Sequence, residues 1–176
     1  MEIKILEKTT GCLPEIINVG DWIDLITAED ITLRVPHAKS LHKKKADDTI
    51  ERFRDVVFTY TLIDLGVAMQ LPSGFEAILA PRSSTFKKYG ILQTNGIGII
   101  DESYCGDEDV WKMPVLATRN ITIPKGTRIA QFRIQLSQKA TVMQKLRWLF
   151  SKGIKIIPVT ALNNKVRGSF GSTGTK

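Results

Sequence analysis

The stretch TNGIGIIDESYCG, residues 94–106, decides how this chain is read. Gly98, Ile99 and Ile100 form a short apolar run suited to a strand, and the run delivers one carboxylate, Asp101, into a turn. Tyr104 follows three residues later and Gly106 closes the turn. A carboxylate at a strand end can take a proton from water held within hydrogen-bond reach. The glycines before it, Gly96 and Gly98, let a hairpin backbone approach a ligand closely. With the Asn95 amide, that backbone offers donors and acceptors to the edge of a flat molecule. A carboxylate and an aromatic together suit a pocket that activates water beside such a ligand.

Working outward, short β-rich runs recur at 2–6, 22–25, 31–35, 55–60, 66–69, 76–80, 98–100, 115–118, 128–134 and 155–158, punctuated by Gly, Pro, Asn and Asp. Many short strands with turn signals predict an all-β, jelly-roll-like distorted barrel. No alternation of strand and helix appears, which excludes a doubly wound nucleotide fold. Two segments break the pattern. Residues 36–54 carry His37, His42 and three consecutive lysines, then Asp47, Asp48 and Glu51, and read as a solvated loop with one helical turn near 46–53. Residues 140–152 place Val142, Met143, Leu146, Leu149 and Phe150 at helical spacing with Lys145, Arg147 and Lys152 between them. This predicts a short amphipathic helix packed on the barrel or on a neighbouring subunit, with binding to a membrane or a protein partner as the lesser reading. The last residues are mostly Gly, Ser and Thr, a composition that buries little and predicts a mobile arm. The chain divides accordingly into a domain over 1–166 and an arm over 167–176.

At 176 residues, 43% of them hydrophobic, the chain suits one domain with a substantial core. No apolar run approaches the ~20 residues that span a bilayer, and the start, MEIKILEKTT, lacks the apolar core of a signal peptide. A cytoplasmic protein is expected, with neither membrane nor nucleic acid as partner, since the lysines are not interleaved with aromatics in a recognisable module. The net charge of +7 favours anions of some kind. Two cysteines, Cys12 and Cys105, and two histidines, His37 and His42, are too few for a disulfide framework or a structural zinc site.

Four further runs flank the central one in order: GDWIDL at 20–25, APRSSTFKKYG at 80–90, KGTRIAQFRI at 125–134 and RGSFGSTG at 167–174. Arg82 with Ser83, Ser84 and the amides of a turn suits phosphate oxygens. The Gln131 amide can donate to phosphate as well. Asp24 and Asp21 are carboxylates of the kind that, beside a triphosphate, favour Mg2+. Lys125-Gly126-Thr127 is not a Walker loop, lacking its glycine spacing and Gly-Lys order. The acidic stretch Asp107, Glu108, Asp109 reads either as a solvated hairpin tip or as a Mg2+ or water-positioning cluster.

The ordered set of five runs resembles the homotrimeric dUTPase family, and GDEDVW at 106–111 is most similar to the branch found in Bacillus-type bacteria and their phages. The resemblance implies hydrolysis of dUTP to dUMP and pyrophosphate, with Asp101 as the general base for water attacking the α-phosphorus. That reaction limits uracil incorporation into DNA and supplies dUMP for dTMP synthesis. The resemblance gives Asn95 and the Gly98 hairpin the reading of uracil, and Tyr104 the exclusion of a ribose. It gives Arg82, Ser83, Ser84 and Gln131 the triphosphate, and Asp24 a water-mediated hold on Mg2+. In the arm, Arg167 is to reach the phosphates and Phe170 to stack on uracil, with Ser172 and Thr173 completing the closure. Arg167 lies closer to Phe170 than in many relatives, which leaves Phe86, Tyr89 or Trp111 as alternative caps for the base. Homotrimeric assembly with sites at subunit interfaces is implied too. Two rivals remain at this level: a dCTP deaminase of the same fold, for which no suitable glutamate follows Trp111, and a regulatory scaffold that docks a protein partner on the 36–54 or 140–152 segment.

Overall fold

The computed structural model describes residues 1–16 and 20–168. In chain order its elements are β1 (Glu2–Glu7), β2 (Ile23–Ile26), β3 (Ile31–Leu33), β4 (His37–Lys44), β5 (Ile50–Val57), β6 (Tyr60–Gln70), β7 (Phe75–Pro81), α1 (Thr85–Tyr89), β8 (Ile91–Gln93), β9 (Gly98–Asp101), β10 (Val110–Ala117), β11 (Ile121–Ile123), β12 (Arg128–Leu136), α2 (Val142–Leu149) and β13 (Lys155–Val159). One sheet runs β13-β1-β6-β10-β8, a second β2-β12-β7-β9, and a small pair joins β11 to β3. The all-β, jelly-roll-like expectation holds, as a distorted barrel that does not close.

Alternation explains the strands. In β1, Ile3 and Ile5 are buried while Glu2 and Lys4 face out; in β7, Phe75, Ala77 and Leu79 turn inward. The inner faces of the two sheets share one core, joined by an edge-to-face contact between Trp111 of β10 and Phe132 of β12, 5.1 Å between ring centroids. Burying side chains of this size stabilises the fold by roughly 1.5–3 kcal/mol each before the entropy of ordering. Trp111 is therefore core and cannot cap a base, which removes it from the alternative lids. Gly66, at φ +70°, sits where a Cβ would approach the Cys12 Sγ to 2.5 Å, so β6 can bend past the N-terminal segment only with glycine there.

Residues 36–54 are not a loop with a helical turn. They belong to an antiparallel ribbon, β4 paired with β5, that pairs Leu41 with Phe53, Lys39 with Asp55 and Lys43 with Glu51. Such cross-strand apolar and opposite-charge pairs favour a ribbon over a helix. The turn is set by Asp47, whose carboxylate accepts from the Thr49 N–H and hydroxyl. The solvated part of the expectation stands, since nearly the whole ribbon is exposed.

The predicted helix forms at α2. A capping box fixes its start: the Thr141 hydroxyl accepts from the Gln144 N–H, and the Gln144 side chain accepts from the Thr141 N–H. Trp148 packs on Phe75 with ring centroids 5.2 Å apart. The Gln144 side chain covers Gly74, where φ is +83° and a Cβ would meet the amide carbon at 2.5 Å. Packing on the barrel thus uses Trp148 and Gln144. The apolar stripe of Val142, Met143, Leu146, Leu149 and Phe150 faces away from the barrel of its own chain, so the barrel half of the expectation does not hold for the stripe.

Candidate active site

The turn between β8 and β9 places the central motif; the expected hairpin does not form, because β8 pairs with β10 in one sheet and β9 with β7 in the other, so the turn crosses between sheets. Gly96 occupies its tip at φ +68°, and the Gln93 side chain donates to the Asn95 Oδ1 at 2.8 Å and to the Leu79 carbonyl at 3.3 Å. With its oxygen engaged, Asn95 presents its NH2 donors. Gly98 pairs with Leu79 across the ladder, and a Cβ there would lie 3.2 Å from the Leu79 Cβ, a tight contact that Leu79 would have to give way to by a few tenths of an ångström. Ile99 and Asp101 share one face of β9; Ile99 is exposed, as is Ile97 in the turn just before the strand.

Asp101 ends β9 half-exposed. One oxygen accepts from the Ser103 hydroxyl and from the Ser103 N–H at 2.9 Å; the other accepts from the Arg167 guanidinium. Burial pushes the Asp101 carboxyl up, but Ser103 and Arg167 outweigh it and hold it below the ordinary carboxylate value. A carboxylate so held is ionised at neutral pH and ready to accept a proton. Tyr104 closes the turn, its N–H donating to the Asp101 carbonyl and its hydroxyl to the Val110 carbonyl at 3.0 Å. Burial, then Asp109, Glu102 and Asp101, push the neighbouring Cys105 thiol up, so it is no thiolate nucleophile.

The acidic stretch is not simply a solvated tip, since two of its three carboxylates are committed to backbone N–H groups. Asp109 is fully buried and accepts from the backbone N–H of Gly106 at 2.8 Å and from those of Arg167 and Gly168 at 3.0 Å. Asp107 accepts from the N–H groups of Leu162 and Asn163, and the Asn164 side chain donates to the Cys105 carbonyl. Together they clasp residues 162–168 against the turn. Gly106 is required there: a Cβ would meet the Val166 Cα at 2.6 Å. This clasp sets Arg167 on Asp101.

The phosphate-suited residues gather elsewhere. Asp24 of β2 pairs with Gln131 of β12, and Gln131 with Ala80 of β7. Arg82 follows β7, its Nε forming an ion pair with the Asp24 Oδ1 at 2.8 Å, while Arg128 donates to the Asp24 Oδ2 at 3.3 Å. The Thr85 hydroxyl and the Arg82 N–H donate to the Ile129 carbonyl, pinning the turn that carries exposed Ser83 and half-buried Ser84. Gln131 donates to the Pro81 carbonyl at 3.3 Å. Phe86 is exposed on α1 one turn away, and Tyr89 is partly buried. Asp24 therefore serves two guanidinium groups. Among the described residues no three His, Cys, Asp or Glu side chains come together as a metal site. Phe170, Ser172 and Thr173 lie outside the described residues.

Within one chain these two groups stand apart. Asp101 pairs with Glu76 at one end of β7, whereas Arg82 follows Pro81 at the other. Six residues of strand separate them by about 20 Å. Sequence reading missed Arg128, Ser103 and the role of Asp109. The serine two residues after an aspartate was a legible turn signal. Arg128 and Asp109 take their partners from residues 104 and 58 positions away, which no local pattern announces.

A dUTPase family model matches residues 27–148. The SPbeta prophage-derived deoxyuridine 5'-triphosphate nucleotidohydrolase YosS of Bacillus subtilis is 40% identical over 176 residues, spanning 100% of this chain and 99% of the relative. Among solved structures, the dUTPase of Streptococcus mutans superposes with a TM-score of 0.60 at 17% identity, covering 80% of this chain and 99% of that one. A mutant dUTPase of the S. aureus phage phi11, described as coordinating a structural Mg(II) ion, superposes at 0.57 with 15% identity, covering 80% and 94%. At these identities the two structures speak for the fold. The family model covers more than half of the chain and YosS matches along its whole length, so the chain belongs to the dUTPase family.

Proposed function

We propose that this protein hydrolyses dUTP to dUMP and pyrophosphate as a homotrimer whose active sites are shared between subunits. Family membership supports the substrate. The observation that carries the chemistry is the ionised Asp101 at the end of β9, directly after a sheet-crossing turn with exposed polar groups at Asn95. The turn between β8 and β9, with Asn95, reads uracil, and Tyr104 packs beside the deoxyribose. Arg82, Ser83, Ser84, Gln131 and Arg167 neutralise the triphosphate. Asp101 takes a proton from a water as its oxygen bonds to the α-phosphorus; the bond to the bridging oxygen breaks and pyrophosphate leaves. Most of the acceleration comes from electrostatic positioning.

The separation of Asp101 from Arg82 along β7 supports the shared site, because a single nucleotide cannot easily span both within one chain. The exposed Ile97 and Ile99 beside Asp101 suit a subunit contact. Residues 167–176 act as the closing arm. Mg2+ enters with the triphosphate, as part of the substrate, because both Asp24 oxygens already serve arginines. Asp24 then acts by holding Arg82 and Arg128 toward the phosphates. In the cell the reaction limits uracil incorporation into DNA and supplies dUMP.

The test is pyrophosphate release by the purified protein with Mg2+, comparing dUTP with dCTP, dTTP and UTP. Release from dUTP alone is the expected result. Release of ammonia from dCTP, or no turnover of dUTP by folded protein, overturns the proposal.

A further inference from the structure

All 18 acidic residues lie within residues 1–109, and none follows Asp109. Helix α2 sits in the acid-free part of the chain. It carries Lys145 and Arg147, with Lys139, Lys152 and Lys155 close by in sequence. At 100° per residue, Leu149, Val142, Leu146, Phe150 and Met143 form one continuous arc of the helix surface. Lys145 borders this arc on one side and Arg147 on the other. Trp148 and Gln144 occupy the opposite side, where they hold the helix to Phe75, Gly74 and Ser73. The arc is exposed along its length, most at Met143 (73%), Leu149 (72%) and Phe150 (79%) and least at Leu146 (42%). Apolar side chains gathered this way mark an interaction site.

We propose that α2 docks on an anionic lipid surface, lying in the plane of the headgroups. Three observations select this occupant. The stripe is convex and flanked by cations on both sides, the arrangement in which apolar side chains enter the acyl boundary while Lys and Arg reach phosphate. No acid lies on the helix or beside it in sequence; Glu2, which lines a cleft with Arg147 and Phe150, belongs to β1. A second copy meeting the stripe face to face would bring Lys145 and Arg147 against their own kind, which disfavours self-association. The β4–β5 ribbon is a weaker candidate for such contact, because Lys44 and Lys45 are already paired with Asp48 and Glu51. The inference does not depend on the proposed reaction.

The experiment is flotation of the full-length protein with vesicles of phosphatidylcholine alone or mixed with phosphatidylglycerol. Binding to the mixed vesicles, little to phosphatidylcholine, and release by salt are expected. The double variant Leu149→Ser, Phe150→Ser changes exposed positions and keeps the fold, checked by its melting curve. Its partitioning should be about tenfold or more weaker, from the loss of two buried apolar groups. Arg52→Gln with Arg54→Gln lowers the net charge on the ribbon and should leave vesicle binding close to that of the parent. Hydrolysis of dUTP in solution should be the same in all of these proteins. The proposal is overturned if the parent ignores phosphatidylglycerol vesicles, or if the stripe variant binds them as well as the parent. A change in the mass of the stripe variant by light scattering would overturn it too, by showing a second copy on the stripe.

Discussion

The Arg167 guanidinium is bonded to the Asp101 carboxylate, joining residues 66 positions apart in the chain. The contact is set by the clasp at Asp109, which takes the Arg167 and Gly168 N–H groups and leaves the side chain to reach Asp101. In the proposed reaction this pairing would keep Asp101 ionised, with Arg167 turning to the triphosphate when it binds. Asp101 is held below the ordinary carboxylate value, so the acid limb of kcat/KM should lie below that of an ordinary carboxylate. Arg167→Ala removes one of the groups holding it down and should move that limb upward. Because the folded-state pKa is lowered, the pairing adds stability above the unfolded value, and that stability is lost as pH falls through the folded value. The groups are half-exposed, so the stability effect is small and screened by salt. A pH–rate profile of the two proteins decides the matter; coincident acid limbs would contradict the role given to Arg167.

Asp101→Asn keeps the shape of the turn and can still accept from Ser103, but it cannot take a proton from water. Nucleotide binding should stay nearly intact while kcat drops by a factor on the order of 10²–10⁴. Single-turnover kinetics beside a binding titration separates the two. Near-normal turnover would remove Asp101 from the chemistry.

Asp109 is a buried carboxylate committed to backbone donors, so Asp109→Ala strands the N–H groups of Gly106, Arg167 and Gly168. The cost should be about 1–3 kcal/mol in denaturant unfolding. Gly106→Ala acts on the same clasp by steric means, since its Cβ would strike the Val166 backbone. Both variants should make residues 162–168 more sensitive to limited proteolysis, read by mass spectrometry. Unchanged cleavage in both would mean that the clasp does not hold the segment in solution.

Asp24 holds Arg82 through Nε and Arg128 through its terminal nitrogen. Asp24→Ala frees both guanidinium groups, and misplacement of phosphate ligands should lower kcat/KM for dUTP by ~10–100-fold. Arg82→Lys should lose activity as well, because an ammonium lacks the planar fork that meets a carboxylate and a phosphate together. Steady-state kinetics with dUTP tests both; Arg128→Ala, if silent, would limit the role of Asp24 to Arg82.

How much of this was readable in sequence depended on the range of each interaction. The strand at 98–100, the turn at Asp101 and the helix at 140–152 are written in local periodicity, and each forms. The ribbon at β4–β5 was hidden because its stability lies in cross-strand pairs such as Leu41 with Phe53, which a linear reading of lysines and aspartates does not reveal. The outward turn of the α2 stripe was equally hidden: periodicity finds the stripe, but Trp148 and Gln144 decide which side meets the barrel. Asp109 stood in a visible acidic run, yet its partners come from the far end of the chain.

The distance between Asp101 and Arg82 along β7 leads to the sharpest test of assembly. If each site takes Asp101 from one subunit and Arg82 from another, Asp101→Asn and Arg82→Ala homo-oligomers are both impaired. Unfolded together and refolded as a mixture, they form hybrids in which some sites combine an intact Asp101 from one chain with an intact Arg82 from the next. Random mixing at equal amounts should restore roughly a quarter of the parental activity, because each half of the site is intact with even odds. Each variant refolded alone supplies the baseline. Were both groups to act within one chain, no hybrid could hold an intact site, and the mixture would show only the average of the two variants.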